Sequence, residues 1–154
     1  AFVRECDALS DDSFLFIPGF EVPSERAHIL MIGQRLFLGT YAPTVEVLKK
    51  WTTVAPFVVL AHPVRNSFQV DDVLLEEIDA LEVWNQQYEG KRVPRTRSLK
   101  LFDTLRLQKP SLVATGGVDF HRAADDFLCQ FLIFHGFFDR INRIHGILVQ
   151  RKSW

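Results

Sequence analysis

Short apolar runs alternate along the chain with segments in which apolar residues recur every three or four positions. Phe57–Ala61 is an unbroken run of branched and aromatic side chains, which is typical of a fully buried strand. The runs at 80–84 and 111–115 indicate further strands, and helical spacing predicts helices over 44–51, around 73–78 and around 99–105. Because strands and helices alternate with short connections, we predict an α/β fold with parallel strands.

Both ends of the sequence carry helical patterns. Apolar residues recur at helical spacing over 2–9 with no start signal before them, so we interpret the beginning of the sequence as cut or processed. From Phe127 to Leu148 apolar residues again step by three or four, which predicts a C-terminal helical segment over 127–154 that packs against the sheet. Gly136 and Gly146 weaken one long helix, and two shorter helices fit the pattern equally well.

Composition narrows the class of protein. The 154 residues are 47% hydrophobic and 24% charged with a net charge of -1, which predicts one globular domain over 1–154 without a basic field for membranes or nucleic acid. Apolar stretches are interrupted well before the roughly 18 residues that a transmembrane helix needs. The two cysteines show no metal spacing and no secretory signal is visible, so we expect a cytoplasmic protein.

Acidic and histidine side chains recur after or within the apolar runs. Sites are commonly built at the carboxyl ends of parallel strands, and buried carboxylates and imidazoles are unfavourable unless they are paired or bind a metal. Asp119 and His121 are two positions apart, so on an extended chain they share a face and could bind one Mn, Zn or Fe ion. The candidate set comprises Glu21, His28, His62, Glu82, Asp119 and His121.

Five motifs occur in an order that resembles the PHP (polymerase and histidinol phosphatase) domain family. They are Pro-Gly-Phe-Glu at 18–21, Ala-His-Ile-Leu at 27–30, Ala-His-Pro at 61–63, Leu-Glu-Val-Trp-Asn at 81–85 and Gly-Val-Asp-Phe-His at 117–121. The resemblance covers about residues 14–122. It implies a distorted (β/α)7 TIM-like barrel with two or three divalent Mn, Zn or Fe ions at its carboxyl end.

The resemblance also implies roles for individual residues. Glu21 matches a carboxylate that bridges two metals, and the other implied ligands are His28, His62, Asp119 and His121. Of these, Glu21, His62, Asp119 and His121 are the implied catalytic residues. Glu82 and Asn85 match a recurrent element of unassigned role, and we expect Asn85 to contact substrate.

Several arginines are candidates for holding a substrate phosphate, because the guanidinium group presents a planar fork of donors. Arg65 and Arg122 follow two of the motifs, and a basic stretch extends over 88–98. The alternative for this stretch is a solvated loop beside a helix. We do not expect an extended nucleic-acid track, because Tyr88 is the stretch's single aromatic residue.

The sequence departs from the family in two ways. The family opens with an H-x-H pair, whereas no histidine precedes Glu21, and 154 residues is short for a barrel of about 200 or more. We therefore expect either a fragment that lacks an upstream segment or fused neighbour, or a degenerate family member. Val118 also stands where the family usually has serine, which removes a hydroxyl group but no ligand.

Three functions follow as hypotheses. The first is a metal-dependent phosphoesterase that hydrolyses mono- or diesters, with a phosphorylated small molecule or nucleotide as substrate and a metal-activated hydroxide as nucleophile. The second is a catalytically inactive barrel remnant that serves as a binding or structural module. The third is another metal-dependent (β/α) hydrolase, such as an amidohydrolase. Dinucleotide-binding, P-loop, serine-hydrolase and zincin motifs do not occur.

Overall fold

The computed structural model describes residues 2–12, 15–33, 44–51, 57–89, 93–117, 119 and 132–133. They form six strands, five α-helices and one 3-10 turn. In chain order these are α1 (Phe2–Leu9), β1 (Gly19–Pro23), β2 (His28–Ile32), α2 (Thr44–Trp51), β3 (Phe57–Ala61), the 3-10 turn (Pro63–Asn66), α3 (Asp72–Glu77), β4 (Ala80–Asn85), α4 (Gln86–Glu89), α5 (Thr96–Gln108), β5 (Val113–Gly117) and β6 (Leu132–Ile133).

The strands form one open, mixed sheet, and the predicted (β/α)7 barrel is wrong. Strand order follows chain order from β1 to β6. The β3–β4 and β4–β5 pairs are parallel, whereas the β1–β2, β2–β3 and β5–β6 pairs are antiparallel. Among the described residues the edge strands β1 and β6 pair with one neighbour each and not with each other, so the sheet does not close.

The short connection between β1 and β2 explains why the barrel topology fails. A parallel pair needs a crossover of about a dozen residues or more, whereas antiparallel strands can be joined by a tight turn. Only residues 24–27 separate Pro23 from His28, and the Ser24 N–H donates to the Ala27 carbonyl across this turn. The Ser24 hydroxyl donates to the same carbonyl at 2.6 Å. β2 therefore reverses direction and cannot belong to a repeating β/α unit.

Both faces of the sheet are apolar in the centre. One face packs against α2, α3 and α5 and forms the larger core cluster, which contains Val22, Ile29, Met31, Val58, Leu60, Leu81 and Val83 from the strands and Leu48, Leu74, Leu75 and Leu105 from the helices. The alternate strand positions point to the opposite face, where Leu30, Ile32, Phe57, Val59, Ala80 and Val113 form a second cluster. All five residues of β3 are buried, as predicted for this run.

Side-chain caps fix the helices beside the sheet. The Asp71 carboxylate accepts from the Leu74 N–H at 2.8 Å and so caps the N-terminus of α3. At the other end of α3, the Lys109 ammonium donates to the carbonyls of Leu75, Glu76 and Ile78 at 3.1, 2.7 and 2.7 Å. Lys109 directly follows α5, so this contact joins the end of α5 to the end of α3.

The predicted helices at 2–9 and 44–51 are confirmed, and those around 73–78 and 99–105 correspond to α3 and α5. Leu132–Ile133 form strand β6, and the remainder of the predicted helical segment over 127–154 lies outside the described residues. None of the helices in the described ranges is long and apolar enough to cross a membrane.

Candidate metal centre

The antiparallel direction of β2 brings the first histidine of the candidate set to the same edge as the second. His28 is the first residue of β2 and pairs with Pro23, the last residue of β1, and with Ala61, the last residue of β3. His62 follows Ala61 directly. The ends of β1 and β3 and the start of β2 therefore form one edge, and both imidazoles are attached to it.

The parallel strands extend this edge. Asn85, the last residue of β4, pairs with Gly117, the last residue of β5, and Asp119 lies two residues further along the chain. The structure thus places six of the predicted site residues at one edge of the sheet: Glu21, His28, His62, Glu82, Asn85 and Asp119. His121 and Arg122 lie outside the described residues.

Two of these residues have unusual backbone conformations. His62 has φ 25° and Asp119 has φ 53°, in the left-handed region that residues other than glycine rarely adopt. Such a conformation costs about 1–3 kcal/mol and persists only where surrounding contacts impose it. His62 directly follows the last residue of β3, and Asp119 lies two residues after the last residue of β5.

Glu21, His28 and His62 form a compact trio of potential ligands. His62 Nε2 lies 3.1 Å from His28 Nδ1 and 3.6 Å from Glu21 Oε1, and the same Glu21 oxygen is hydrogen-bonded to His28 Nδ1. The three atoms lie within 4.8 Å of one another. The His62 side chain is 2% exposed and that of Glu21 is 34% exposed, so the trio is buried on one side and open to solvent on the other.

The trio fits a divalent transition metal ion. Ligand atoms about 2.1 Å from a tetrahedral ion are about 3.4 Å apart, and the separations of 3.1 and 3.6 Å lie on either side of that value. Two imidazoles and one carboxylate are also the ligand set of many catalytic zinc sites, which keep a further position for water or substrate. The Glu21–His28 hydrogen bond would have to open for both atoms to bind the same ion.

The other side of the His62 ring faces the remaining polar residues. His62 Nδ1 lies 3.4 Å from Glu82 Oε2 and 4.0 Å from Asp119 Oδ2. Glu82 Oε2 also accepts from the His62 backbone N–H at 2.6 Å. Glu82 is 3% exposed, so this carboxylate holds both the backbone and the ring of His62 from inside the protein.

Asn85 links Glu82 and Asp119 beside the His62 ring. Its Oδ1 accepts from the N–H groups of Gln87 and Tyr88 at 3.0 and 3.3 Å, which caps α4. Its Nδ2 donates to Glu82 Oε2 at 3.0 Å and approaches Asp119 Oδ2 at 3.4 Å. Asn85 Nδ2 also lies 3.4 Å from His62 Nδ1, so this ring nitrogen is surrounded by Glu82, Asp119 and Asn85, whereas Nε2 faces Glu21 and His28.

Tyr88, an aromatic residue to which the sequence analysis assigned no role at the site, packs against His62. The Tyr88 ring stacks on His62 with centroids 4.9 Å apart, and the Arg65 guanidinium lies 5.8 Å from the Tyr88 centroid. Tyr88 lies on α4, three residues after Asn85, and this spacing is the sequence signal that could have located it. Arg65 and His62 therefore both lie beside the Tyr88 ring, and Arg65 forms no ion pair within the described part of the chain.

The basic stretch after Tyr88 is engaged in structural contacts where it is described. Arg95 donates to the Tyr88 carbonyl at 2.6 Å, and Arg97 donates to the Ser67 carbonyl and lies 4.3 Å from the Phe68 ring centroid. Lys91 and Arg92 lie outside the described residues. Glu89 on α4 is buried and accepts from the Ser98 hydroxyl, and this burial raises the pKa of its carboxyl group.

The predicted ligand set is thus arranged in two groups around His62. Glu21 and His28 adjoin Nε2, whereas Asp119 lies on the Nδ1 side beside Glu82 and Asn85.

In comparisons with known proteins, no family model matches the chain, and no curated protein or solved structure shows significant similarity to it. The resemblance to the PHP family therefore rests on the sequence motifs alone.

Proposed function

We propose that this protein is a metal-dependent phosphoesterase whose ion is held by Glu21, His28 and His62. The observation that carries the proposal is that the ligand atoms of Glu21 and His28 both lie near His62 Nε2, at 3.6 and 3.1 Å, which are separations close to those in the coordination shell of one transition metal ion. When bound, such an ion would activate water and offset negative charge on phosphate oxygens. Zinc, manganese or iron suits this mixture of imidazole and carboxylate.

The surrounding residues prepare His62 for this role. Glu82 accepts from the backbone N–H of His62 and lies 3.4 Å from its Nδ1. A proton on Nδ1 would therefore be held by Glu82 and would leave the Nε2 lone pair for the ion. Tyr88 covers one face of the imidazole ring and limits its rotation. Ring and backbone are thus both fixed, and little ordering of His62 is needed when the metal binds.

Asp119 and Arg65 have separate parts in the proposal. The Asp119 carboxylate is 9% exposed and lies on the Nδ1 side of the His62 ring, opposite Glu21 and His28. There it can accept a proton or a hydrogen bond from a substrate hydroxyl or water. Arg65 has no competing carboxylate among the described residues and can bind a phosphate oxygen through its guanidinium group. Asn85 fixes Glu82 and Asp119 relative to each other, so we assign it a positioning role in place of the predicted substrate contact.

Hydrolysis of 4-nitrophenyl phosphate in the presence of zinc or manganese tests the proposal. We expect metal-stimulated turnover by the wild type and its loss in Glu21→Gln, which keeps the shape of the side chain but removes an anionic ligand. Glu76→Gln is the matched control, because Glu76 is exposed on α3 away from the trio. Turnover that is equal in the wild type and Glu21→Gln would show that the trio is not the active centre.

A second candidate is a binding or structural module without catalytic activity. The observation that favours it is the hydrogen bond between Glu21 and His28, which together with the contact to His62 satisfies these polar groups without an ion. In that case the purified protein contains no transition metal, and added zinc or manganese does not raise its melting temperature. Bound metal in stoichiometric amount would reject this candidate.

A further inference from the structure

The helix α4 follows β4 directly and contacts the N-terminal end of α5. It has four residues, and a helix this short is not stable on its own, so contacts at its two ends fix its position. At the N-terminal end Asn85 Oδ1 accepts from the N–H groups of Gln87 and Tyr88. At the C-terminal end Tyr88 and Glu89 both contact the start of α5.

Glu89 supplies the cap that α5 does not provide for itself. Arg95 is the N-cap residue of α5, and its side chain makes no capping hydrogen bond. The Glu89 carboxyl group accepts instead from the Arg95 N–H at 3.4 Å and from the Ser98 hydroxyl group. Acidic side chains are favourable near a helix N-terminus. Because Glu89 and Ser98 are both buried, this contact is shielded from water.

The Arg95 side chain makes a second contact between the two helices. Its guanidinium group donates to the Tyr88 carbonyl at 2.6 Å, which satisfies a backbone acceptor at the end of α4. Arg95 thus binds Glu89 through its backbone and Tyr88 through its side chain. α5 is itself anchored in the larger core cluster by Leu105, so the core of the protein holds the end of α4 in place.

The Tyr88 ring transmits this fixed position to His62. The two rings are stacked, with an interplanar angle of 26° and centroids 4.9 Å apart. Polar groups meet the His62 ring at its two nitrogen atoms, whereas Tyr88 covers a face of the ring. A tilt of the imidazole plane would move Nε2 away from Glu21 and His28, and the stacked Tyr88 ring opposes that tilt.

We infer that Glu89 is a positioning residue for His62, because it joins α4 to the N-terminus of α5 and so holds Tyr88 against the imidazole ring. Arg95 acts in the same way through the Tyr88 carbonyl. This coupling exists without a metal, whereas its effect on metal binding rests on the proposed function. A mobile ring lowers the fraction of the protein that is competent to bind an ion, and the apparent affinity falls by the same factor.

Proton NMR of the metal-free protein in EDTA tests the coupling. Stacking on Tyr88 shields the carbon-bound ring protons of His62, whose signals are identified by their absence in His62→Gln. Tyr88→Leu gives the positions of these signals without stacking. We expect Glu89→Ala to move them toward the Tyr88→Leu positions. Glu89→Gln should leave them near the wild-type positions, because the amide keeps the size of the side chain and an acceptor oxygen.

Lys109→Met is the matched control, because Lys109 binds α3 at the opposite end of α5. This variant should lower the stability of the fold and leave the His62 signals in place. If Glu89 had a structural role alone, Glu89→Ala would behave in the same way. Unchanged His62 signals in a folded Glu89→Ala protein would therefore overturn the inference.

Arg95→Ala supplies the test if Glu89→Ala does not fold. Arg95 is exposed, so its side chain is not part of the core. We expect the His62 signals to move toward the Tyr88→Leu positions in Arg95→Ala. They should stay in place in Arg97→Ala, whose guanidinium group donates to the Ser67 carbonyl instead. Equal signals in these two variants would contradict the inference.

Zinc affinity measures the consequence for the metal centre. The energy of a stacked aromatic pair corresponds to a factor of about two to ten in affinity. We expect zinc to bind more weakly by this factor to Glu89→Ala and to Tyr88→Leu, and with wild-type affinity to Glu89→Gln. Equal zinc affinity in the wild type and Glu89→Ala would overturn the inference. Shifted His62 signals and weakened zinc binding in a protein that hydrolyses no phosphate ester would reject the proposed function alone.

Discussion

Replacing Glu82 by Gln tests whether this buried carboxylate prepares His62 to bind a metal. Glu82 Oε2 accepts from the His62 N–H at 2.6 Å and lies 3.4 Å from its Nδ1. The amide side chain keeps the shape and one acceptor but removes the negative charge that polarises the imidazole. Loss of such a supporting contact weakens metal binding about 10–100-fold, which corresponds to about 1.4–2.7 kcal/mol.

Thermal unfolding with and without zinc measures this effect. Zinc at one hundred times the wild-type Kd stabilises the folded state by about 2.7 kcal/mol, and a tenfold or hundredfold weaker Kd lowers this to about 1.4 or 0.4 kcal/mol. For a chain of this length each kcal/mol shifts Tm by about 2–4 °C. The zinc-induced shift should therefore fall from about 5–11 °C to about 1–6 °C in Glu82→Gln.

The control for this experiment is Glu76→Gln, which removes an exposed carboxylate from α3 and should keep the wild-type shift. Melting without zinc separates metal binding from folding, since any structural effect of Glu82→Gln appears there. A zinc-induced shift in Glu82→Gln as large as in the wild type would refute the reasoning that Glu82 positions His62.

Two further predictions concern contacts away from the trio. Burial raises the pKa of Glu89 above its ordinary value of 4.5, so the folded state holds this proton more tightly than the unfolded chain. That contribution to stability is present below pH 4.5 and is lost as pH rises through the folded pKa. Glu89→Gln should therefore reduce the fall in the free energy of unfolding, measured with urea, between pH 4 and about 7. The same dependence on pH in the variant and the wild type would contradict this prediction. Lys109→Met should lower the free energy of unfolding by about 1–3 kcal/mol, because three carbonyls at the end of α3 lose their donor. Lys100→Met, at an exposed position on α5, is the control. Equal urea midpoints for the two variants would contradict this account.

Elements with strong local signals could be predicted from the sequence. Phe57–Ala61 is apolar at every position because both faces of β3 are covered, and helical spacing locates α2 with its observed bounds. α5 is a partial exception. Leu105 is buried as its spacing predicts, but Leu99 is 42% exposed, and the fully buried Ser98 lies on the inner side in its place.

Strand direction could not be predicted from the apolar pattern. The run that contains His28–Ile32 has the composition of a parallel strand, yet it is antiparallel to β1 and β3. The informative feature is the separation of four residues between β1 and β2, which is too short for a helical crossover. This constraint is incompatible with the barrel that the family resemblance implies.

The arrangement of the site also exceeds what sequence spacing contains. That histidines and carboxylates after successive strands lie at one edge follows from the strand ends. Which nitrogen of His62 faces which neighbour depends on its φ of 25° and on the amide of Asn85, and neither has a sequence signature. For this reason Asp119, expected as a ligand together with Glu21 and His28, lies on the opposite, Nδ1 side of the His62 ring.

Stoichiometry of metal binding to the wild type and the Glu21→Gln, His28→Gln and His62→Gln variants is the most direct measurement of the central claim. A cobalt titration followed by visible absorption reports both the number of ions and the presence of imidazole and carboxylate ligands. The account predicts one ion held jointly by these three residues, with affinity lost in each variant. Cobalt that binds equally well after all three residues are replaced, or does not bind to the wild type at all, would contradict it.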